Sequence, residues 1–235
     1  MQEGSSLVSV IIPALNEEEN ITAAIKTARR EYREDEVEIL VVDGGSRDGT
    51  VELALKHAEV LQSDRGRAVQ MNRGAYAAKG EVFVFCHADS RLPEGWREAV
   101  IEALADPDVS GGAFQTRIVP ASGILKLINK FKYPADWRIL LGDLCQFMRR
   151  ETFFEIGGYP EIVLMEDVEM ARALNDAGRI VRVPLRVETS SRRFLENGPL
   201  RQWMLSFTLM IRYLYFGATP EDIAAKYRSS REENK

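Results

Sequence analysis

A chain of 235 residues and 26.5 kDa can bury a real core as one large domain or two small ones. With 45% apolar and 29% charged residues, 17 Gly and 9 Pro, neither a collagen-like nor a disordered chain fits. The formal net charge of −5 argues against a nucleic-acid binder, and two cysteines in apolar runs, Cys86 and Cys145, argue for buried thiols rather than a disulfide framework.

The start, Met1-Gln-Glu-Gly-Ser-Ser, carries an acid and no basic stretch, so no signal peptide is read there and reducing cytosol is the expected compartment. Leu7–Ile12 is a nearly continuous apolar run ending at Pro13, the pattern of a strand buried on both faces. Ile21, Ala24, Ile25 and Ala28 then recur at helical spacing, with Asn16 and Glu19 as a variant capping box. A second buried strand, Glu38–Val42, ends at Asp43 and enters the turn-rich loop Gly44–Thr50 before a helix around Val51–His57. Arg65–Gly74 is a basic, Gly-containing stretch before and within a helix, without the ending of a Walker P-loop. A third strand, Val82–Cys86, ends at His87-Ala88-Asp89. Strands alternating with helices predict a parallel α/β sheet.

The second half reads as a mixed sheet: strands over Gly111–Val119, Leu144–Met148 and Ile180–Val187, with Pro184 marking an edge or a bulge. A helix is predicted over Glu166–Ala177, and another after Thr219-Pro220. Leu200–Phe216 is apolar but short of a membrane span, and a buried helix is preferred over membrane contact. Residues 117–150 carry a net charge of +5 and residues 192–235 a net +3, leaving −13 elsewhere. Two basic segments on an acidic body predict a local anionic partner, a phosphate or a lipid surface.

Three polar clusters follow the C-terminal ends of three predicted parallel strands: Asn16-Glu17-Glu18, Asp43 and His87-Ala88-Asp89. Ligand crevices of open α/β sheets lie at that edge, where free N–H groups meet phosphates. Carboxylates among phosphates call for a divalent cation. On an extended segment His87 and Asp89 would point to one side, Asp89 holding the cation and His87 acting as second ligand or donor. Glu166-Asp167 opens a helix, where acids favour the macrodipole, but one of them can also face the crevice as a general base.

Taken together, Val8–Glu17, Val41–Thr50, Asp89, Gly157-Gly158-Tyr159 and Glu166-Asp167 resemble the family 2 glycosyltransferases over roughly residues 7–190. The stretch Gly66–Gly74 with the His-Ala-Asp triplet is similar to a small bacterial subgroup found with arsenosugar-type biosynthesis genes. The resemblance implies a GT-A fold: a Rossmann-like, mostly parallel sheet with helices on both faces, joined to a mixed-sheet acceptor half. It implies one domain, with residues 7–115 binding the nucleotide sugar, 116–190 the acceptor and catalytic half, and 191–235 C-terminal helices. It further implies inverting transfer from a nucleotide-diphosphate sugar, UDP foremost, with Mg²⁺ or Mn²⁺. Pro13, Leu15, Glu17 and Asp43 would hold base and ribose, and Gly66, Arg67 and Asn72 would lie along the nucleotide. Asp89 matches the last acid of the family's metal motif, Asp167 its catalytic base, and Glu166 would position acceptor or base.

The first acid of that metal motif is His87 here, and the signature of processive synthases is missing, which argues against a polymer synthase. The mixed apolar and basic run Ile124–Lys132 resembles interfacial helices, so peripheral membrane contact and a lipid-linked acceptor stand beside a small-molecule acceptor. Arg192 and Arg193 are candidates to reach a phosphate, or are simply exposed. A sugar nucleotidyltransferase and a non-catalytic nucleotide-sugar or glycan binding module are the rival readings.

Overall fold

The computed structural model describes residues 6–30, 32–121, 123–131 and 144–232. Within them one sheet has the strands β1 (Val8–Ala14), β2 (Val37–Asp43), β3 (Glu59–Gln62), β4 (Val82–Phe85), β5 (Ser90–Arg91), β6 (Val109–Val119), β7 (Gln146–Arg149) and β8 (Arg179–Ser190). Their spatial order is β3-β2-β1-β4-β7-β6-β8-β5. The helices are α1 (Ile21–Arg29), α2 (Thr50–Leu55), α3 (Arg67–Ala77), α4 (Trp96–Leu104), α5 (Ile124–Phe131), α6 (Arg150–Glu155), α7 (Glu166–Ala177), α8 (Arg192–Asn197), α9 (Pro199–Phe216) and α10 (Pro220–Glu232).

Strand direction creates one functional edge. β1 runs parallel to β2 and β4, β2 parallel to β3, and β6 parallel to β8, so the sheet is mostly parallel, as expected. β7 is reversed between β4 and β6. Its first residue, Gln146, therefore lies at the edge where β1, β2 and β4 end. Period-two alternation then fills both faces. Val8, Val10, Ile12, Val82 and Val84 pack with α1 and α4, whereas Ile11, Leu40, Val42, Phe83 and Phe85 pack with α3 and α6. Gly74 lets α3 sit directly on the sheet; a Cβ there would lie 2.5 Å from Ile11 Cγ2. Neither cysteine forms a disulfide, and both are buried.

Several expectations are corrected. Asn16 does not cap α1: it has φ +54°, and its side-chain oxygen accepts from Arg47 N–H, so the helix begins after Asn20. His87 to Asp89 is a turn closed by Ser90 N–H on His87 O rather than an extended segment. Strand β7 starts at Gln146, after Cys145 at φ +49°. Pro184 lies where the β6–β8 register shifts, so the bulge reading holds. Among the described residues of the basic segment, Arg117 pairs with Glu188, Arg149 donates to the Leu104, Asp106 and Val109 carbonyls, and Arg150 donates to Ala78 O. Lys132, Asp136, Arg138 and Asp143 lie outside the described residues. The largest correction is α9, which is not a buried helix: only Gln202, Leu209 and Met210 are buried on it.

Candidate active site

At the ends of β1 and β2 the polar side chains hold two loops together. Asp43, 2% exposed, accepts from the N–H groups of Gly45 and Ser46 at 3.0–3.2 Å. Asn16 N–H donates to Ser46 Oγ, Glu17 N–H to Thr50 Oγ1, and Gly49 N–H to Glu18. Asp48 is held below the usual carboxylate range: burial pushes it up, but hydrogen bonds from Thr50 and the Glu18 N–H outweigh that. Gln70, buried on α3, donates to both Ala14 O and Val42 O and so ties the two strand ends together. Pro13 and Leu15 remain half-buried beside this lattice.

The α3 helix connects that edge to the start of α7. Gly66 precedes it with φ +156°, and Arg67 is its first residue. Arg67 Nε donates to Glu166, whose side chain is 1% exposed, so a carboxylate with almost no water finds its counter-charge 99 residues away in the chain. Asn72 donates to Tyr159 O and accepts from Tyr159 N–H. This two-way bond fixes the Gly157-Gly158-Tyr159 turn, where Gly158 has φ +74° and a Cβ would meet Asn72 Oδ1 at 3.0 Å. Tyr159 then donates through its hydroxyl to Gln146 Oε1, and Gln146 Nε2 donates to Asp167 O. Burial, then the Asp167 and Glu166 carboxylates, push the Tyr159 phenol well above its ordinary value, so it stays a donor.

Asp167, 7% exposed, opens α7 after Met165 in a left-handed conformation (φ +71°), and its Oδ1 accepts from Val168 N–H. It faces an open cleft of about 260 Å³. Arg67, His87, Asp89 and Arg193 line the polar end of that cleft; Trp203, Phe207, Leu209, Met210 and Ile223 line the other. Asp89 lies 4.0 Å from the Arg193 guanidinium, and Arg192 pairs with Glu17 at 3.0 Å. The α8 helix thus places its two leading arginines on two separate carboxylates.

Of the candidates, Asp167, His87, Asp89 and Arg67 share one cleft, with Glu166 immediately behind through Arg67. Glu17 and Asp43 lie at the neighbouring strand ends, engaged by Arg192 and by backbone N–H groups. Asn72 has both side-chain polar atoms on the Tyr159 main chain. Sequence reasoning missed Gln70, Gln146 and the apolar wall from α9 and α10. Gln146 had no motif to mark it, whereas Tyr159 stood inside the Gly-Gly-Tyr signature.

Residues 9–154 match the family described as Glycosyl transferase family 2. Glycosyltransferase AglE of Haloferax volcanii is 27% identical over 188 residues, covering 73% of this chain and 62% of its own length. The mannosyltransferase PcManGT of Pyrobaculum calidifontis, solved with GDP-Man and Mn²⁺, superposes with a TM-score of 0.69 at 19% identity over 97% of this chain and 70% of that one. S. aureus TarS 1-349, solved with UDP-GlcNAc, gives 0.63 at 16% identity over 87% and 66%. The chain thus spans less than two thirds of the length of AglE, and the structural likenesses establish the GT-A fold.

Proposed function

Because the chain belongs to glycosyl transferase family 2, we propose that it moves a sugar from a nucleotide-diphosphate donor to an acceptor hydroxyl with inversion, Asp167 serving as general base. The observation that carries this reading is a single cleft in which a nearly buried carboxylate, Asp167, faces the groups suited to a diphosphate: Arg67, His87, Asp89 and Arg193. Donor binding falls to the β1 and β2 ends, with Pro13, Leu15, Glu17 and Asp43 around base and ribose and Gly66 and Arg67 toward the phosphates. UDP is the first donor to test and GDP the second, since the two solved relatives hold UDP-GlcNAc and GDP-Man. Residues 7–115, 116–190 and 191–235 act as donor half, acceptor half and C-terminal helices of one domain, in a reducing, cytoplasmic setting.

The residues fit a divalent cation shared with the donor. Asp89 and His87 line the same cleft, and no group of three or more His, Cys, Asp or Glu among the described residues would hold a metal unaided. One carboxylate plus substrate phosphates is a usual environment for Mg²⁺, and the Arg193 guanidinium 4.0 Å from Asp89 adds positive charge for a diphosphate. When bound, Mg²⁺ or Mn²⁺ would offset charge on the departing nucleoside diphosphate.

The chain's own residues do the rest. Glu166 is neutralised by Arg67, so Asp167 is the carboxylate of the pair positioned to take the acceptor proton. Tyr159 and Gln146 hold the start of α7 through the Asp167 carbonyl, fixing the position of the base. Direct attack of the acceptor hydroxyl on the anomeric carbon, opposite the leaving diphosphate, needs one base and no covalent sugar intermediate, so it inverts the centre. The test is calorimetric titration of UDP and GDP with Mn²⁺ and then with chelator, in wild type and in Asp89→Ala, followed by donor turnover in Asp167→Asn. Metal-dependent binding lost in the first variant, with binding kept but turnover lost in the second, is expected. If neither nucleotide binds, the case moves to a binding module, and pyrophosphate release from a nucleoside triphosphate would move it to a nucleotidyltransferase.

A further inference from the structure

The apolar end of the cleft is built by one helical hairpin. Gly217 (φ +65°) ends α9, and Thr219 Oγ1 accepts from Asp222 N–H at the start of α10. The chain turns back there, and α10 sets Ile223 beside Trp203, Phe207, Leu209 and Met210 of α9. Leu209, Met210 and Ile223 are buried, whereas Phe207 is 48% exposed and stands at the rim. Trp203 and Phe207, one turn apart, stack at 5.7 Å with their rings 12° from parallel, so the two act as one apolar wall. Phe207 also belongs to an apolar stripe on α9 with Leu200, Met204, Ile211 and Tyr215, most of which is exposed. The Tyr213 hydroxyl donates to Glu169 at 2.7 Å and so ties α9 to α7 two residues past Asp167.

This end offers little to a sugar. Three polar side chains stand there among the described residues, Gln202, Ser206 and Tyr227, and the first two are bonded to each other. Gln202 Oε1 accepts from Asn197 while Nε2 donates to Ser206 Oγ, so both ends of the amide are engaged. The charged and titratable acid or base groups that line the cleft are Arg67, His87, Asp89, Asp167 and Arg193, and none of them comes from α9 or α10. Each sugar hydroxyl brought here would lose water without a matched partner, which weakens binding. Apolar surface removed from water at the same place strengthens it. Small-molecule sites commonly have this form, an apolar wall with a few polar groups that fix orientation.

We propose that the α9–α10 end of the cleft is the acceptor subsite and that the acceptor is an uncharged alcohol with an apolar body, not a second sugar. Asp167 lines the same cleft, so the hydroxyl of such a molecule meets the base while its hydrocarbon part lies against Trp203, Phe207 and Ile223. The hydroxyl oxygen bonds to the anomeric carbon as the bond from that carbon to the diphosphate oxygen breaks. Asp167 takes the hydroxyl proton, and the electron pair leaves with the nucleoside diphosphate. The role as acceptor rests on the transferase reading; the affinity of this end for an apolar alcohol does not.

The test is calorimetric titration of geraniol, an apolar alcohol, and of methyl glucoside, a sugar acceptor, into the full chain, with and without UDP or GDP and Mn²⁺. Phe207→Asn is the matched variant, because that side chain is half exposed and its loss removes part of the wall rather than a buried support. Geraniol is expected to bind at one site, at least about tenfold more tightly than methyl glucoside and about tenfold more weakly in the variant. Circular dichroism confirms that the variant is folded. Methyl glucoside that binds as tightly as geraniol overturns the proposal. So does a folded wild-type protein that binds neither, or a geraniol affinity that Phe207→Asn leaves unchanged. If nucleotides bind and geraniol does not, the transferase reading stands and the acceptor assignment falls. If geraniol binds and no nucleotide does, the apolar site stands and its role as an acceptor subsite falls with the transferase reading.

Discussion

The cleft's apolar wall and the strand ends beside it, the proposed donor wall, are built on opposite principles. At those strand ends, from the end of β1 to the start of α3, nearly every polar side chain is committed to a neighbour: Asp43 to the loop N–H groups, Gln70 to two strand carbonyls, Asn16 and Glu18 to the facing loop. Such a lattice is pre-organised and loses little freedom when a charged ligand binds. On the α9–α10 side the wall is Trp203, Phe207, Leu209, Met210 and Ile223. Gln202, Ser206 and Tyr227 stand among these side chains, with Gln202 bonded to Asn197 and Ser206, but most of this wall is shaped by packing and can accept apolar groups of varied form. The proposed chemistry would sit where the two meet, at Asp167.

Asp167→Asn is the sharpest way to break this comparison. It keeps the shape and removes the base, so turnover should fall on the order of 10²–10⁴-fold with nucleotide affinity nearly unchanged, measured by single-turnover assay beside calorimetry. Parallel losses of affinity and turnover would show that Asp167 belongs to the donor wall. Asp89→Ala should weaken metal-dependent nucleotide binding by roughly one to two orders of magnitude and remove the response to chelator.

Arg67→Ala tests whether the walls are joined. It leaves Glu166 buried without a counter-charge, and a loss of about 2–3 kcal/mol is expected in denaturant unfolding, less than for a fully buried pair because Arg67 is 33% exposed. Arg67→Lys should restore part of it.

Tyr159→Phe is a smaller change, about 1 kcal/mol for the lost bond to Gln146. It also has a pH signature. The folded phenol is raised above 10.0, so its contribution is complete below that pH and disappears as pH rises from there toward the folded value. The variant should lack that part of the alkaline decline in unfolding midpoint. Smallest of all, Arg192→Ala should change stability by no more than about 1 kcal/mol, because the pair with Glu17 is partly solvated. It sharpens the comparison by showing whether α8 restrains the donor wall: faster nucleotide association in stopped flow is the expected outcome.

Local pattern determined much of this protein. The apolar run ending at Pro13, the run ending at Asp43 and the run before His87 became β1, β2 and β4, because a strand buried on both faces has a local signature. The acids Glu166-Asp167 marked the start of α7 for the same kind of reason. Tertiary structure alone decided how these pieces work. Spacing could not tell Glu166 from Asp167; what sets them apart is Arg67, which reaches Glu166 across the fold. Nor could it find Gln146, whose place at the active edge depends on β7 running against its neighbours. The stripe on α9 was legible as a periodicity, but its direction was not. A helical repeat records that one face is apolar, and only the elements packed around the helix determine whether that face meets the core or the surroundings.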